Sequence, residues 1–128
     1  MTLRMAVLDG AADLVYLMRG ALASGGWDVQ VFPGGEALAG AAERRPDVAL
    51  MDIALGREAE SWDMLRSLKE NPATAGVPVI VTSSNHFELQ DHDDLLTQYA
   101  SAVLVRPCTQ EDIQRCLVAA LNPETSRT

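Results

Sequence analysis

Five short runs of apolar residues recur along the chain, and they constrain the fold more than any other feature of the sequence. Each run is rich in Val, Ile, Leu or Met and has the length of a β-strand. The runs span residues 3–8, 28–32, 48–51, 77–81 and 102–105. Each stretch between them is long enough for a helix, and the first three have Gly or Pro near an end. The sequence therefore predicts five strands that alternate with five helices.

Two of the intervening stretches have clear helical periodicity, with apolar residues three and four positions apart. The first collects Leu14, Leu17, Met18, Ala21 and Leu22 on one face, and the last collects Ile113, Cys116, Leu117, Ala120 and Leu121. Weaker patterns predict helices over 35–43, 61–70 and 88–99, and Thr109 is the predicted N-cap of the last helix. Short connections and continuously apolar middle runs favour an α/β fold, with a parallel sheet covered on both faces.

The length and charge of the chain limit its organisation and its partners. A chain of 128 residues is the size of one domain, expected over residues 1–122 with a polar tail over 123–128. A net charge of −8 argues against nucleic acid or an anionic membrane as a partner. Because no apolar run is long enough to span a bilayer, we expect a cytoplasmic protein. Cys108 and Cys116 fit no disulfide or metal spacing, and they indicate small buried residues in a reducing compartment.

Polar side chains follow four of the predicted strands. Asp9 follows the first, Asp52 the third, Ser83 the fourth and Arg106 the fifth. Sites in parallel sheets form beyond the carboxyl ends of the strands, so these side chains should converge at one edge. An ionised carboxylate such as Asp52 is costly to bury unless cations or hydrogen-bond donors compensate it. The recurrence of useful groups at successive strand ends indicates a functional site.

The segments that carry these residues are "AVLDG", "DVALMD", "VPVIVTSS" and "AVLVRP". Together they resemble the receiver domain of response regulators, the CheY-like domain of two-component signalling, over residues 3 to about 121. The resemblance implies a flavodoxin-like (βα)5 fold, with five parallel strands in the order 2-1-3-4-5. It also implies a signalling role rather than an enzymatic one.

The resemblance further assigns a role to each site residue. Asp52 would accept a phosphoryl group, and Ser83 and Arg106 would contact the phosphoryl oxygens. Asp9, Asp52 and the backbone carbonyl of Ala54 would hold Mg²⁺. The chemistry fits these residue types, because transfer to a carboxylate brings anions together and needs cations to offset the charge.

Four positions depart from the family pattern. Gly10 stands where a second acidic residue is usual, so Mg²⁺ should bind weakly. Arg106 replaces a lysine, which keeps the charge but changes its geometry. Val103 stands where the family usually has a switching aromatic residue. In the loop after Asp52, Gly56 replaces a proline and loosens the segment.

These departures leave two functions open. The first is a receiver that accepts a phosphoryl group from a sensor histidine kinase or a phosphotransfer protein and changes its binding to a downstream protein. The second is a pseudo-receiver that acts as an interaction or dimerisation module without phosphorylation. An aspartyl phosphatase is disfavoured because Ala54 stands where such an enzyme would need a second acid.

The family's output surface comprises the fourth helix, fifth strand and fifth helix. Here it would carry Asp91, Asp93 and Asp94, which suggests a basic partner. His86 and His92 are predicted to be solvated residues of the fourth helix rather than metal ligands. Trp62 is predicted to pack on the third helix.

Overall fold

A computed structural model describes residues 3–8, 12–22, 26–32, 37–53 and 57–122. It contains one sheet of five parallel strands in the order β2-β1-β3-β4-β5, as expected. The strands are β1 (Leu3–Leu8), β2 (Trp27–Phe32), β3 (Val48–Asp52), β4 (Val79–Ser83) and β5 (Ala102–Val105). β1 and β3 lie at the centre beside the reversal of strand order, where doubly wound sheets form their binding crevices.

Six helices cover the two faces of the sheet. They are α1 (Ala12–Leu22), α2 (Ala37–Arg44), α3 (Glu58–Glu70), α4 (His86–Asp91), α5 (Asp93–Tyr99) and α6 (Gln110–Leu121). Helices α1 and α6 contribute Met18, Leu22, Ile113, Leu117 and Ala120 to the core on one face. Helices α2 to α5 contribute Ala41, Trp62, Leu65, Leu68, Leu89 and Leu96 to the core on the other. The side chains of Leu14, Leu17 and Ala21 lie outside the described residues, as does the tail over 123–128.

The fourth strand begins two residues later than the sequence predicts. Pro78 has no N–H to donate, and the N–H of Val77 bonds instead to the Thr74 carbonyl at 3.0 Å, within the preceding turn. Lys69 donates its ammonium to the carbonyls of Ala75 and Val77, each at 2.9 Å, and burial lowers the pKa of this lysine. These hydrogen bonds hold the turn before the strand, so β4 begins at Val79 and extends to Ser83.

The single helix predicted over 88–99 is wrong, because the chain breaks at His92 into α4 and α5. In a continuous helix the His92 N–H would donate to the Glu88 carbonyl. Here the His92 ring Nδ1 lies 3.0 Å from that carbonyl oxygen, while the backbone N–H turns to Leu89 and Gln90. The side chain thus competes with the backbone for its helical acceptor. Asp93 and Asp94 then occupy the first turn of α5, where negative charge is favourable.

Helix α6 begins as the sequence predicts. Thr109 is its N-cap and forms a capping box with Asp112, and hydrogen bonds from Thr109 lower the pKa of the Asp112 carboxyl. Cys108 and Cys116 are free and only partly buried, so the expectation of fully buried cysteines was too strong. Burial raises the pKa of both thiols. Among the described helices, none is long and apolar enough to cross a bilayer.

Candidate functional site

Asp52 is the last residue of the central strand β3, and its side chain is almost completely buried. Every residue of β3 is buried, and the exposed fraction of Asp52 is only 6%. Asp52 pairs with Thr82 of β4, and the next N–H, from Ile53, donates to the Thr82 carbonyl at 2.9 Å. The carboxylate is therefore fixed by regular sheet structure at the carboxyl edge rather than by a flexible loop.

Arg106 supplies a positive charge that buried Asp52 requires. Its Nη2 donates a hydrogen bond to Asp52 Oδ1 at 2.5 Å. The two side chains are 17% and 8% exposed, so water screens this ion pair much less than a surface pair. The charge of Asp52 is tolerated at the end of hydrophobic β3 because Arg106, which follows β5, places its guanidinium against it.

Ser83 lies at the same edge and is linked to both neighbouring segments. Its carbonyl accepts from the Arg106 N–H at 3.0 Å, and its Oγ accepts from the Asn85 N–H at 3.0 Å. Asn85 is in turn the N-cap of α4, because its Oδ1 accepts from the N–H groups of Phe87 and Glu88. The Ser83 hydroxyl is thus joined to the start of α4.

Thr82 is a second buried hydroxyl at the site, which the sequence analysis did not select. It is completely buried, and neither its Oγ1 nor Arg106 Nε has a hydrogen-bond partner among the described residues. Thr82 and Ser83 are the two polar residues at the end of the strand "VIVTS". Thr82 pairs with Asp52 through the sheet register, a relation that no spacing along the chain reveals, so the sequence carried no signal to select it.

Several predicted site residues lie outside the described residues, namely Asp9, Gly10, Ala54 and Gly56. Within the described ranges, no three His, Cys, Asp or Glu side chains lie close enough together to hold a metal ion. Asp52 does fit a magnesium site, because Mg²⁺ takes one or two carboxylates and completes its shell with water and phosphate oxygens. Of the predicted site residues that the structure describes, Asp52, Ser83 and Arg106 lie together at one edge of the sheet.

Trp62 packs in the core under α2 to α5, as predicted, and it also makes polar contacts. It is 3% exposed, and its Nε1 donates to Glu88 Oε1 at 2.6 Å. Its ring stacks on His92 with centroids 4.2 Å apart and planes inclined by 14°. Whereas His86 is exposed as expected, His92 is partly buried in this cluster. We call Trp62, Glu88 and His92 the Trp62 cluster; it connects α3 to α4.

The surface formed by α4, α5, β5 and α6 corresponds to the predicted output surface. Asp91, Asp93 and Asp94 are all exposed on it. Val103, in β5, is 39% exposed, and its carbonyl accepts from the Cys116 thiol at 3.5 Å. Phe87, at the start of α4, is 76% exposed. This surface thus combines negative charge with exposed apolar side chains.

Comparisons with solved structures identify the fold. The chain is similar to a response regulator from Thermotoga maritima, with a TM-score of 0.79 and 17% identity over 94% of this chain and 98% of that one. It is similar to the chemotaxis response regulator CheY4 of Vibrio cholerae, with a TM-score of 0.75 and 19% identity over 94% of this chain and 100% of that one. No protein-family model and no curated protein matches the sequence.

A further similar structure is the receiver domain of a sensor histidine kinase from Pseudomonas aeruginosa, described with a magnesium ion coordinated in its active-site cleft. Its TM-score is 0.73, with 21% identity over 94% of this chain and 98% of that one. The chain therefore has the CheY-like fold of response regulator receiver domains.

Proposed function

We propose that this chain is a receiver of two-component signalling that accepts a phosphoryl group on Asp52. The donor would be a phosphohistidine of a sensor kinase or phosphotransfer protein. An Asp52 oxygen forms a bond to phosphorus as the nitrogen–phosphorus bond breaks, and the electron pair of that bond stays on the imidazole. The product is an aspartyl phosphate.

The observation that carries this proposal is the buried Asp52 carboxylate paired with Arg106 at 2.5 Å. Phosphorylation adds negative charge at a site with little water to screen it. The Arg106 guanidinium already lies at hydrogen-bonding distance from the carboxylate, and it can donate to the phosphoryl oxygens once they carry the negative charge. Arg106 would therefore stabilise both the reacting group and the product.

Ser83 offers a route from the site to the output surface. Its Oγ accepts from the Asn85 N–H, so its own proton remains available for a phosphoryl oxygen. A move of Ser83 towards the phosphoryl group would weaken its bond to Asn85, and Asn85 caps α4. Phosphorylation would thus alter the start of α4 without the aromatic residue that Val103 replaces.

Mg²⁺ would be held by Asp52 with Asp9 and the Ala54 carbonyl. When bound, it would neutralise negative charge on the incoming group. Because Gly10 offers no carboxylate, we expect weak binding.

Intact-mass measurement after incubation with acetyl phosphate, over a range of Mg²⁺ concentrations, tests the proposal. We expect wild type to gain a phosphate adduct slowly and only at high Mg²⁺, and Asp52→Ala to gain none. Asp47→Ala is the matched control, because Asp47 is an exposed carboxylate just before the start of β3 that bonds the Arg4 N–H. The same adduct on Asp52→Ala would place the phosphate elsewhere and contradict the proposal.

A Gly10→Asp variant separates a weak receiver from a pseudo-receiver. Restoring a carboxylate should lower the Mg²⁺ concentration needed for the adduct by about tenfold, since carboxylates are the ligands Mg²⁺ prefers. An adduct on Gly10→Asp but never on wild type would favour the alternative function, an interaction module that works without phosphorylation.

The output partner is proposed to be a basic protein surface. Asp91, Asp93 and Asp94 supply the complementary charge, beside the exposed side chains of Phe87 and Val103. The same surface would serve a homodimer only if a partner copy offered cations to these carboxylates.

A further inference from the structure

We propose that α4 and α5 are the two halves of one helix, which the Trp62 cluster holds broken at His92. In the alternative state, the joined helix, His92 leaves its present contacts and a single helix runs over residues 86–99. Among those residues His92 alone lies outside α4 and α5, with φ −118° and ψ 29° against helical values of about −63° and −42°. The break is thus confined to one residue.

The broken state leaves the backbone at the start of α5 without helical acceptors. The first N–H groups of a helix have no intrahelical partner, and a capping side chain usually serves one of them. His92 occupies the N-cap position of α5, but its side chain makes no capping hydrogen bond. In the joined helix, the N–H groups of Asp93, Asp94 and Leu95 would donate to carbonyls four residues earlier, in α4. The break therefore needs other contacts that compensate it.

The compensating contacts converge on the His92 ring. Its Nδ1 lies 3.0 Å from the Glu88 carbonyl oxygen and 3.3 Å from Glu88 Oε1. Both oxygens accept hydrogen bonds, so Nδ1 carries a proton. The ring also stacks on Trp62, whose Nε1 donates to the same Glu88 carboxylate at 2.6 Å. The ring therefore takes the carbonyl that the His92 backbone N–H would use in the joined helix, and Trp62 keeps it there.

The core under α2 to α5 allows both states. Leu89 of α4 and Leu96 of α5 are buried in this same core. Their spacing of seven residues is close to two helical turns, so both side chains would still face the core in the joined helix. His92 would lie between them on that face, three residues after one and four before the other. The joined helix would therefore keep the apolar contacts of both halves.

Negative charge on α4 and α5 opposes the joined helix. Asp91 and Asp94 would there be three residues apart on one face, where like charges repel. In the broken state Asp93 and Asp94 occupy the first turn of α5, where negative charge is favourable. A basic surface that neutralises these carboxylates would therefore favour the joined helix. Only the identification of that surface with the output partner rests on the proposed function.

Amide hydrogen exchange and ¹³Cα chemical shifts, measured by NMR in His92→Val, test the proposal. Valine has a helix propensity close to that of histidine but has no ring and no side-chain donor. We expect the Asp93 and Asp94 amides to exchange about tenfold more slowly than in wild type, and residue 92 to gain a helical ¹³Cα shift. The control His86→Val, at the exposed first residue of α4, should change neither property. Exchange as fast as in wild type would overturn the proposal.

His92→Phe separates the hydrogen bond of the ring from its stack. Phenylalanine keeps an aromatic ring against Trp62 but has no donor for the Glu88 carbonyl. We expect the Asp93 and Asp94 amides to exchange at rates between those of wild type and His92→Val. Exchange as in wild type would mean that the bond to Glu88 does not hold the break. Exchange as in His92→Val would mean that the stack on Trp62 does not.

This proposal and the proposed function fail separately, because the exchange measurements use protein without a phosphoryl donor or Mg²⁺. If His92→Val joins the helices but wild type gains no adduct on Asp52, the Trp62 cluster holds the break and the phosphoacceptor function is wrong. If wild type gains the adduct while α4 and α5 stay separate in His92→Val, the function stands and the role of the Trp62 cluster is wrong.

Discussion

Replacing Arg106 with glutamine is expected to lower the free energy of unfolding at pH 7 by about 3 kcal/mol. The change removes the guanidinium that lies 2.5 Å from Asp52 and leaves an almost completely buried carboxylate without that charge partner. The loss of a partner from a buried ion pair is severe because the remaining charge loses this counterion where little water can replace it. Urea unfolding followed by circular dichroism measures the effect.

The matched control for Arg106→Gln is Arg115→Gln. Arg115 lies 3.5 Å from Asp112 in an ion pair whose side chains are 73% and 38% exposed. A pair so well solvated should contribute far less to stability than the buried Asp52–Arg106 pair. Adding Asp52→Asn to Arg106→Gln should recover most of the lost stability, because it removes the buried negative charge that Arg106 balanced. If Arg106→Gln and Arg115→Gln cost the same, the Asp52 pair behaves like a surface pair, and its burial is unimportant.

The sheet was predictable because its strands are short apolar runs, continuous in the middle of the sheet, and most of the stretches between them contain Gly or Pro. A continuous apolar run indicates a strand that is buried on both faces. The order of the strands was inferred from the family resemblance. The end of β4 was harder to predict, because Thr82 and Ser83 are polar residues within a strand. Their cost is offset only by partners on neighbouring strands, which a local pattern does not reveal.

The site was predictable only in part, because the partners of its buried polar residues lie on neighbouring strands. Asp52, Ser83 and Arg106 each follow or end an apolar run, so topology alone brings them to one edge. Thr82 pairs with Asp52 through the sheet register, and no spacing along the chain shows that relation. The break at His92 likewise depends on a ring that contacts Trp62 from another helix.

The Trp62 cluster links the two segments that follow Asp52 and Ser83. Helix α3 is the next described element after Asp52, and α4 begins three residues after Ser83. Trp62 fixes one to the other through its bond to Glu88 and its stack on His92. The His92 ring also contacts the Glu88 carbonyl, so the Trp62 cluster includes the contact that breaks the helix between α4 and α5.

Trp62→Ala is therefore expected to lower the free energy of unfolding by about 4 kcal/mol, since it removes a large buried aromatic side chain. Trp62→Phe should cost about 1–2 kcal/mol, because it keeps a ring against His92 but leaves Glu88 without the indole donor. Both variants are measured by urea unfolding followed by circular dichroism. Trp27→Phe is the control for loss of an indole, since Trp27 lies on the edge strand β2 and is only partly buried.

The difference between the two Trp62 variants isolates the polar contact from the packing. If the bond to Glu88 fixes α4, Trp62→Phe should also increase amide hydrogen exchange over α4 relative to wild type, while exchange over α6 stays the same. If α4 exchanges equally in both proteins, the indole bond contributes stability without holding the helix. In that case Asn85 and its bond to Ser83 would be the remaining described link between the site and α4.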